Sequence, residues 1–143
     1  MERLDIKQLE EKAKEIRRDI IKMVSEAGGG HPGGALSAAD IITALFFNVM
    51  NHSPKFPNDP KRDRFILSKG HACTALYSAL ARSGYFLVSE LLDFEKINSR
   101  LQGHPSKIDL PFVEASSGSL GQGISVAVGV SLGLRLSGIR SRV

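Results

Sequence analysis

The stretch "SEAGGGHPGGALSAAD", residues 25–40, sets five glycines and a proline around one histidine, His31. A single glycine is enough to turn a chain out of a helix. The glycines from Gly28 are expected to end the helix before them. The fold must therefore break here between two helical stretches. What such a segment offers instead is a backbone that can come close to a ligand and show it N–H groups.

The flanking patterns agree with that break. Residues 5–27 read as an amphipathic helix, with Leu9, Ala13, Ile16, Ile20, Met23 or Val24 and Ala27 recurring at steps of three and four. Glu10, Glu11, Lys14, Arg17, Arg18 and Lys22 occupy its solvated face. Ser37 is expected to open a second helix, with Asp40 three residues on in a capping-box arrangement. Ile41, Ile42, Leu45, Phe46 and Val49 make that helix apolar enough to be buried on much of its surface. Residues 51–63 contain three prolines and two asparagines and read as a loop, with His52 exposed in it. "RFIL", residues 64–67, is the one clear strand candidate.

A helix is expected from about His71 to Arg82 and a short one in "SELLDFEKI", capped by Ser89. Residues 98–119 are irregular. A last helix runs from about Leu120 to Leu136 in spite of Gly121, Gly123, Gly129 and Gly133. Ser125, Gly129 and Gly133 fall on one stripe, where the close approach of another backbone would offset their poor propensity.

The chain has 143 residues, enough for one domain, with 42% hydrophobic and 24% charged residues. No apolar run approaches the ~20 residues that span a bilayer, and the charged N-terminus lacks the apolar core of a signal peptide. A lone cysteine, Cys73, cannot form an internal disulfide, so a reducing, cytoplasmic setting is expected. The net charge of +4 is spread among acids and lacks interleaved aromatics. That pattern argues against nucleic acid and for anionic small molecules, phosphates above all.

Three of the four histidines directly follow a glycine: "GGGHPGG" at His31, "SKGHA" at His71 and "LQGHPS" at His104. A fourth glycine-rich segment, "SSGSLGQG", spans residues 116–123. A loop histidine can be merely structural. Three in one context can equally line one site, where an imidazole hydrogen-bonds a hydroxyl or phosphate or moves a proton near pH 7. His71 follows the strand candidate and opens a helix, a place that favours anions, and Lys69 adds positive charge. "GGGHPG" formally matches the G-x-G-x-x-G fingerprint, but a helix rather than a strand precedes it, so a dinucleotide is excluded. Zinc is excluded by histidine separations of about 40 and 33 residues with no ligand-spaced carboxylate or cysteine. Cys73 is read as a buried, inert thiol in preference to a nucleophile.

"GGGHPGGALSAADIITALFF", "RDRFILSKGHACTALYSAL", "GYF", "SRLQGHPS" and "VEASSGSLGQGISVAVG" resemble the N-terminal part of transketolase, most closely the form split into two separate chains. The resemblance runs in order from about residue 10 to 137. It implies an α/β fold, a parallel sheet flanked by helices, of which residues 1–143 would be an incomplete and mostly helical part of the diphosphate-binding domain. It implies thiamine diphosphate and Mg2+ as cofactors and transfer of a two-carbon ketol unit from a ketose phosphate to an aldose phosphate. The implied partners are a C-terminal transketolase subunit, homo-oligomer contacts and sugar phosphates, with no nucleic acid and no membrane.

By the same resemblance, His31 and His104 are catalytic: His31 contacts the substrate near its reacting carbons, and His104 hydrogen-bonds the ketose hydroxyl and the two-carbon intermediate. His71 lies at the cofactor diphosphate, and Gly118 and Leu120 hold the aminopyrimidine ring through their backbone. The family's Gly-Asp-Gly magnesium motif and its catalytic glutamate are not found in the sequence, so the chain is expected to be truncated before that motif and inactive alone. A non-catalytic phosphate-binding or interaction module derived from the same fold is the alternative.

Overall fold

The computed structural model describes residues 3–143; residues 1 and 2 of the expected 1–143 domain lie outside the described residues. Helix α1, Ile6–Ala27, starts where its sequence can satisfy its own first N–H groups. The Asp5 carboxylate accepts from the Gln8 N–H at 2.8 Å, and the Gln8 side chain accepts from the Asp5 N–H at 2.9 Å, a reciprocal capping box. The helix ends at Gly28, whose φ of 73° places its N–H on the last carbonyls. The buried stripe is Ala13, Ile16, Asp19, Ile20 and Met23, the middle of the predicted face with one acid added; Leu9 and Ala27 at its ends are half-buried.

The second helix does not open at Ser37. Helix α2, Pro32–Leu36, begins inside the glycine-rich stretch, with His31 at its cap position. Pro32 fits a first helical position because the N–H it lacks would have no partner there. Ser37 instead closes α2, its Oγ donating to the Gly34 carbonyl at 3.0 Å. Asp40 pairs with Arg17 of α1 rather than capping anything. Helix α3, Ala39–Ala44, continues as a π-helical turn over Leu45–Val49. Ile42, Phe46 and Phe47 are buried, whereas Ile41 and Val49 of the expected apolar face are exposed.

Helix α4, Cys73–Arg82, is the centre of the molecule: every residue from Cys73 to Ala81 is buried. A 3₁₀ turn, Gly70–Ala72, opens it. Asp19 ties α1 to α4, accepting from Ser78 Oγ at 2.6 Å and from Arg82 Nε and Nη2 at 2.5 and 2.9 Å. The "SELLDFEKI" segment forms a 3₁₀ helix, Val88–Asp93, in which Glu90 reaches back to the Leu87 N–H at 3.1 Å, so Ser89 is not its cap.

Among the described residues there is no β-strand. "RFIL" has no regular structure, and its one backbone link of the kind a strand makes is the Arg64 N–H to the Arg142 carbonyl at 2.8 Å. A strand exists only as a ladder with neighbours, and an edge with one rung is not a sheet. The mostly helical character expected of the chain is present; the parallel sheet is not formed by the described residues.

Helix α5, Gln122–Leu136, starts after Gly121 at φ 86°. It is held chiefly at its ends. A side chain at Gly123 would lie 2.7 Å from Ser68 Cα, and Gly121 N–H donates to the Ser68 carbonyl at 2.9 Å. Beyond the far end, Arg142 grips buried Asp63 through its Nε at 3.0 Å and Nη2 at 2.6 Å. The expected backbone approach to Gly129 and Gly133 is absent among the described residues, where a Cβ would meet nothing within 4 Å. Ile124, Val128, Leu132 and Leu136, four apart, are exposed. None of the helices described is long and apolar enough to cross a membrane.

His52 corrects another expectation. It is buried, with Nε2 2.7 Å from the Phe46 carbonyl and Nδ1 3.0 Å from the Tyr85 hydroxyl. The loop that carries it folds inward there, where Phe46 and Tyr85 offer both ring nitrogens a partner and an aromatic wall. Burial holds its pKa below the ordinary value, with the Phe46 carbonyl and Asp63 opposing and Arg62 adding to the shift. A histidine whose folded pKa is depressed stabilises the fold above its unfolded pKa, about 6.5, and that contribution is lost as pH falls. The melting temperature is therefore expected to fall between pH 7.5 and 5.5, and His52→Gln to flatten that slope. Thermal unfolding monitored by circular dichroism across the interval measures both; equal slopes in the two proteins would exclude His52 as the cause.

Candidate active site

Four glycine-rich segments far apart in sequence meet along one seam. His31 stands at the N-terminal cap position of α2, and His71 sits in the turn that opens α4; their rings lie 5.4 Å apart, edge to face at 60°. The His71 ring occupies the space over Gly34, where a Cβ would stand 2.8 Å from it. That position has to be glycine for the two histidines to meet.

Lys69 reaches back across the same junction. Its ammonium donates to the Gly34 carbonyl at 2.8 Å and to Ser37 Oγ at 2.9 Å, so it ties α2 to the start of α4 as well as adding charge. Gly70 is pressed on the third segment: a Cβ there would fall 2.5 Å from the Ser117 carbonyl oxygen and 2.9 Å from Gly118 N. His104 lies beside Gly118, its Cδ2 in ordinary contact distance, 3.8 Å, of where a Cβ would stand. The Ser117 N–H donates to the Pro105 carbonyl at 3.1 Å, fastening the third segment to the fourth.

The structure thus brings His31, His71 and His104 along one line of contacts, with Gly118 between the last two. His31 and His104 are exposed and His71 is half-buried. Leu120 lies apart from the imidazoles, exposed on an apolar groove of about 420 Å3 with Ile41, Leu67 and Lys69. Two buried hydroxyls at the seam, Ser68 Oγ and Ser117 Oγ, have no hydrogen-bond partner among the described residues. Unpaired buried hydroxyls cost free energy unless something else takes them up.

The donor set is two imidazoles open to solvent, a third at the head of a ten-residue helix, and an ammonium. It suits a ligand that carries negative charge and hydroxyls. Thiamine diphosphate is such a ligand, and the residues fit it. Among the described residues no group of three His, Cys, Asp or Glu stands together as a metal site.

Cys73 is the first residue of α4, two residues past His71. It is buried, and burial pushes its thiol up to about 12, the Glu95 carboxylate adding to the effect. A thiol held protonated is a poor nucleophile, which agrees with the inert reading. Sequence reasoning missed what Cys73 does instead: its Sγ donates to the Gly103 carbonyl at 3.1 Å, and Tyr77 OH donates to the Gln102 carbonyl at 2.7 Å. The i, i+4 spacing of a thiol and a phenol on one helix was the signal available.

The same segments carry the likeness to known proteins. The model of a family described as "Transketolase, thiamine diphosphate binding domain" matches residues 9–137. One of the subunits of apulose-4-phosphate transketolase from Actinobacillus succinogenes is 40% identical over 141 residues, 98% of this chain and 51% of that protein. Transketolase of Homo sapiens is 42% identical over 123 residues, 86% of this chain and 20% of that protein. A crystal structure of Pichia stipitis transketolase in complex with sedoheptulose-7-phosphate superposes with a TM-score of 0.83 at 40% identity, covering 87% of this chain and 18% of that one. The chain spans about half the length of the Actinobacillus relative and about a fifth of the longer transketolases.

Proposed function

Since this chain belongs to the transketolase family, within its thiamine diphosphate binding domain, we propose that it is the cofactor-binding portion of a transketolase. The activity is transfer of a two-carbon ketol unit from a ketose phosphate to an aldose phosphate, carried out with a C-terminal partner subunit. The observation that carries this reading is the seam itself, where His31, His71 and His104 converge although 73 residues separate the first from the last. The split architecture is supported by the likeness to a relative that is itself named as one subunit of its enzyme.

When bound, thiamine diphosphate supplies the carbanion chemistry that side chains lack. The chain's own residues supply position and protons. His71 and Lys69, in the turn that opens α4, face the diphosphate as an anion site at the positive end of that helix. The backbone at Gly118 and Leu120 takes the aminopyrimidine ring, which glycine permits at Gly118. His31 and His104, the exposed imidazoles, hydrogen-bond the substrate hydroxyls and hold or pass a proton at their ring nitrogens. Magnesium would offset part of the diphosphate's charge. In the assembled enzyme residues 64–67 act as a strand of a parallel sheet. A cytoplasmic setting and homo-oligomer contacts complete the proposal; the lone free cysteine supports the first.

A second reading, a non-catalytic phosphate-binding module, would use His71 and Lys69 as an anion site without the substrate-facing roles of His31 and His104. The two are separated by variants in the chain reconstituted with its partner subunit. His71→Ala is expected to weaken the cofactor, raising its apparent dissociation constant about tenfold. His104→Ala is expected to lower turnover about tenfold or more with the cofactor constant unchanged. Calorimetric titration with thiamine diphosphate and Mg2+, beside steady-state kinetics, reads both effects. If both variants alter thermal stability alone, the histidines are structural and the enzyme reading fails.

A further inference from the structure

The loop that presents His104 lies in the irregular stretch between the 3₁₀ helix at Val88–Asp93 and helix α5, where no regular element holds it. Yet its backbone is anchored at every residue around the histidine. Leu101 is buried and its carbonyl accepts from the Glu95 N–H at 2.9 Å. The next two carbonyls, Gln102 and Gly103, accept from Tyr77 OH and Cys73 Sγ. The Pro105 carbonyl accepts from the Ser117 N–H. The His104 side chain itself is left exposed to solvent.

We propose that Cys73 and Tyr77 are positioning residues for His104, a pair of donors one helical turn apart on α4 that fix the Gln102–Gly103 backbone. Residues four apart lie on one face of a helix, and here they address two consecutive carbonyls of the loop. His71 stands at the head of the same helix. Helix α4 is buried from Cys73 to Ala81 and cannot shift without disturbing the core. It therefore sets both imidazoles from one rigid element, at the cofactor end through His71 and at the substrate end through His104. Both donors keep their protons: burial pushes the thiol up to about 12 and raises the phenol well above its usual range. Both side chains are buried, so each acts through the loop backbone alone.

The functional weight of this pair rests on the proposed contact of His104 with substrate, but the positioning itself does not. The test uses the full chain labelled with 15N. Tyr77→Phe removes one oxygen and keeps the ring; Cys73→Ala removes the sulfur; Cys73→Ser restores a donor. Backbone order is read from heteronuclear NOEs, and amide exchange is measured at the same sites. Tyr77→Phe and Cys73→Ala are expected to lower the NOE at Gly103 and His104 and to speed exchange there about tenfold. The NOEs at His31 and His71 are expected to stay unchanged, and Cys73→Ser to recover most of the loss. Unchanged order at Gly103 and His104 in both variants overturns the proposal. So does a uniform loss across α4 and the loop, which is what a merely structural contact would give. Should Tyr77→Phe fail to fold, Cys73→Ala and its serine counterpart still decide. In the reconstituted enzyme, loss of loop order with unchanged turnover would uphold the clamp and sink the role of His104.

Discussion

Asp19→Ala is expected to cost about 3 kcal/mol of unfolding free energy, at the lower end of what is lost when one partner of a buried ion pair is removed. Asp19 is 6% exposed and accepts three hydrogen bonds, one from Ser78 and two from Arg82. Without it, the Arg82 guanidinium and the Ser78 hydroxyl are left at the α1–α4 interface short of partners. Glu15 also pairs with Arg82 at 2.7 Å, from a more exposed position, and it offsets part of the loss. Urea unfolding should show a midpoint lowered by roughly 1–3 M with an unchanged slope. A shift well below that would mean Glu15 alone can hold the arginine.

Gly70→Val is expected to have the second large effect, on stability and on the site together. The atoms in the way are backbone: the Ser117 carbonyl oxygen at 2.5 Å, its carbon at 2.7 Å and Gly118 N at 2.9 Å from the added Cβ. Backbone cannot rotate aside as a side chain does, so the 116–121 segment must move away from the start of α4. Overpacking of this kind costs typically about 1–3 kcal/mol, and the displaced segment carries Gly118 away from His71. The expected result is a lower melting temperature and loss of the thiamine diphosphate response in the reconstituted enzyme. Gly129→Ala and Gly133→Ala form the control. An added Cβ meets nothing within 4 Å at either position, so each should stabilise α5 by up to about 1 kcal/mol. If Gly70→Val behaved like them, the seam would not be as tightly closed as its geometry indicates.

What the sequence alone determined about this protein is local or comes from resemblance. The apolar period of residues 5–27 and the glycines behind it specify α1, because helix periodicity and a left-handed cap are written within a few residues. The three Gly-His pairs were legible as candidates because glycine and histidine each bring a chemistry to a backbone. Their assignment to one site came from resemblance, and the seam now gives it a geometry. Other features needed the tertiary structure. His52 looks like any loop histidine until Phe46 and Tyr85 are brought to either side of it. Asp40 reads as a cap until Arg17, on another helix, takes its carboxylate. "RFIL" has the composition of a strand, but a strand is defined by its neighbours, and the described residues provide one rung. The clamp of Cys73 and Tyr77 on the His104 loop joins residues 25–30 apart. Hydrogen bonds across such separations are decided by which elements pack together, and packing depends on the whole core, not on any window of the chain.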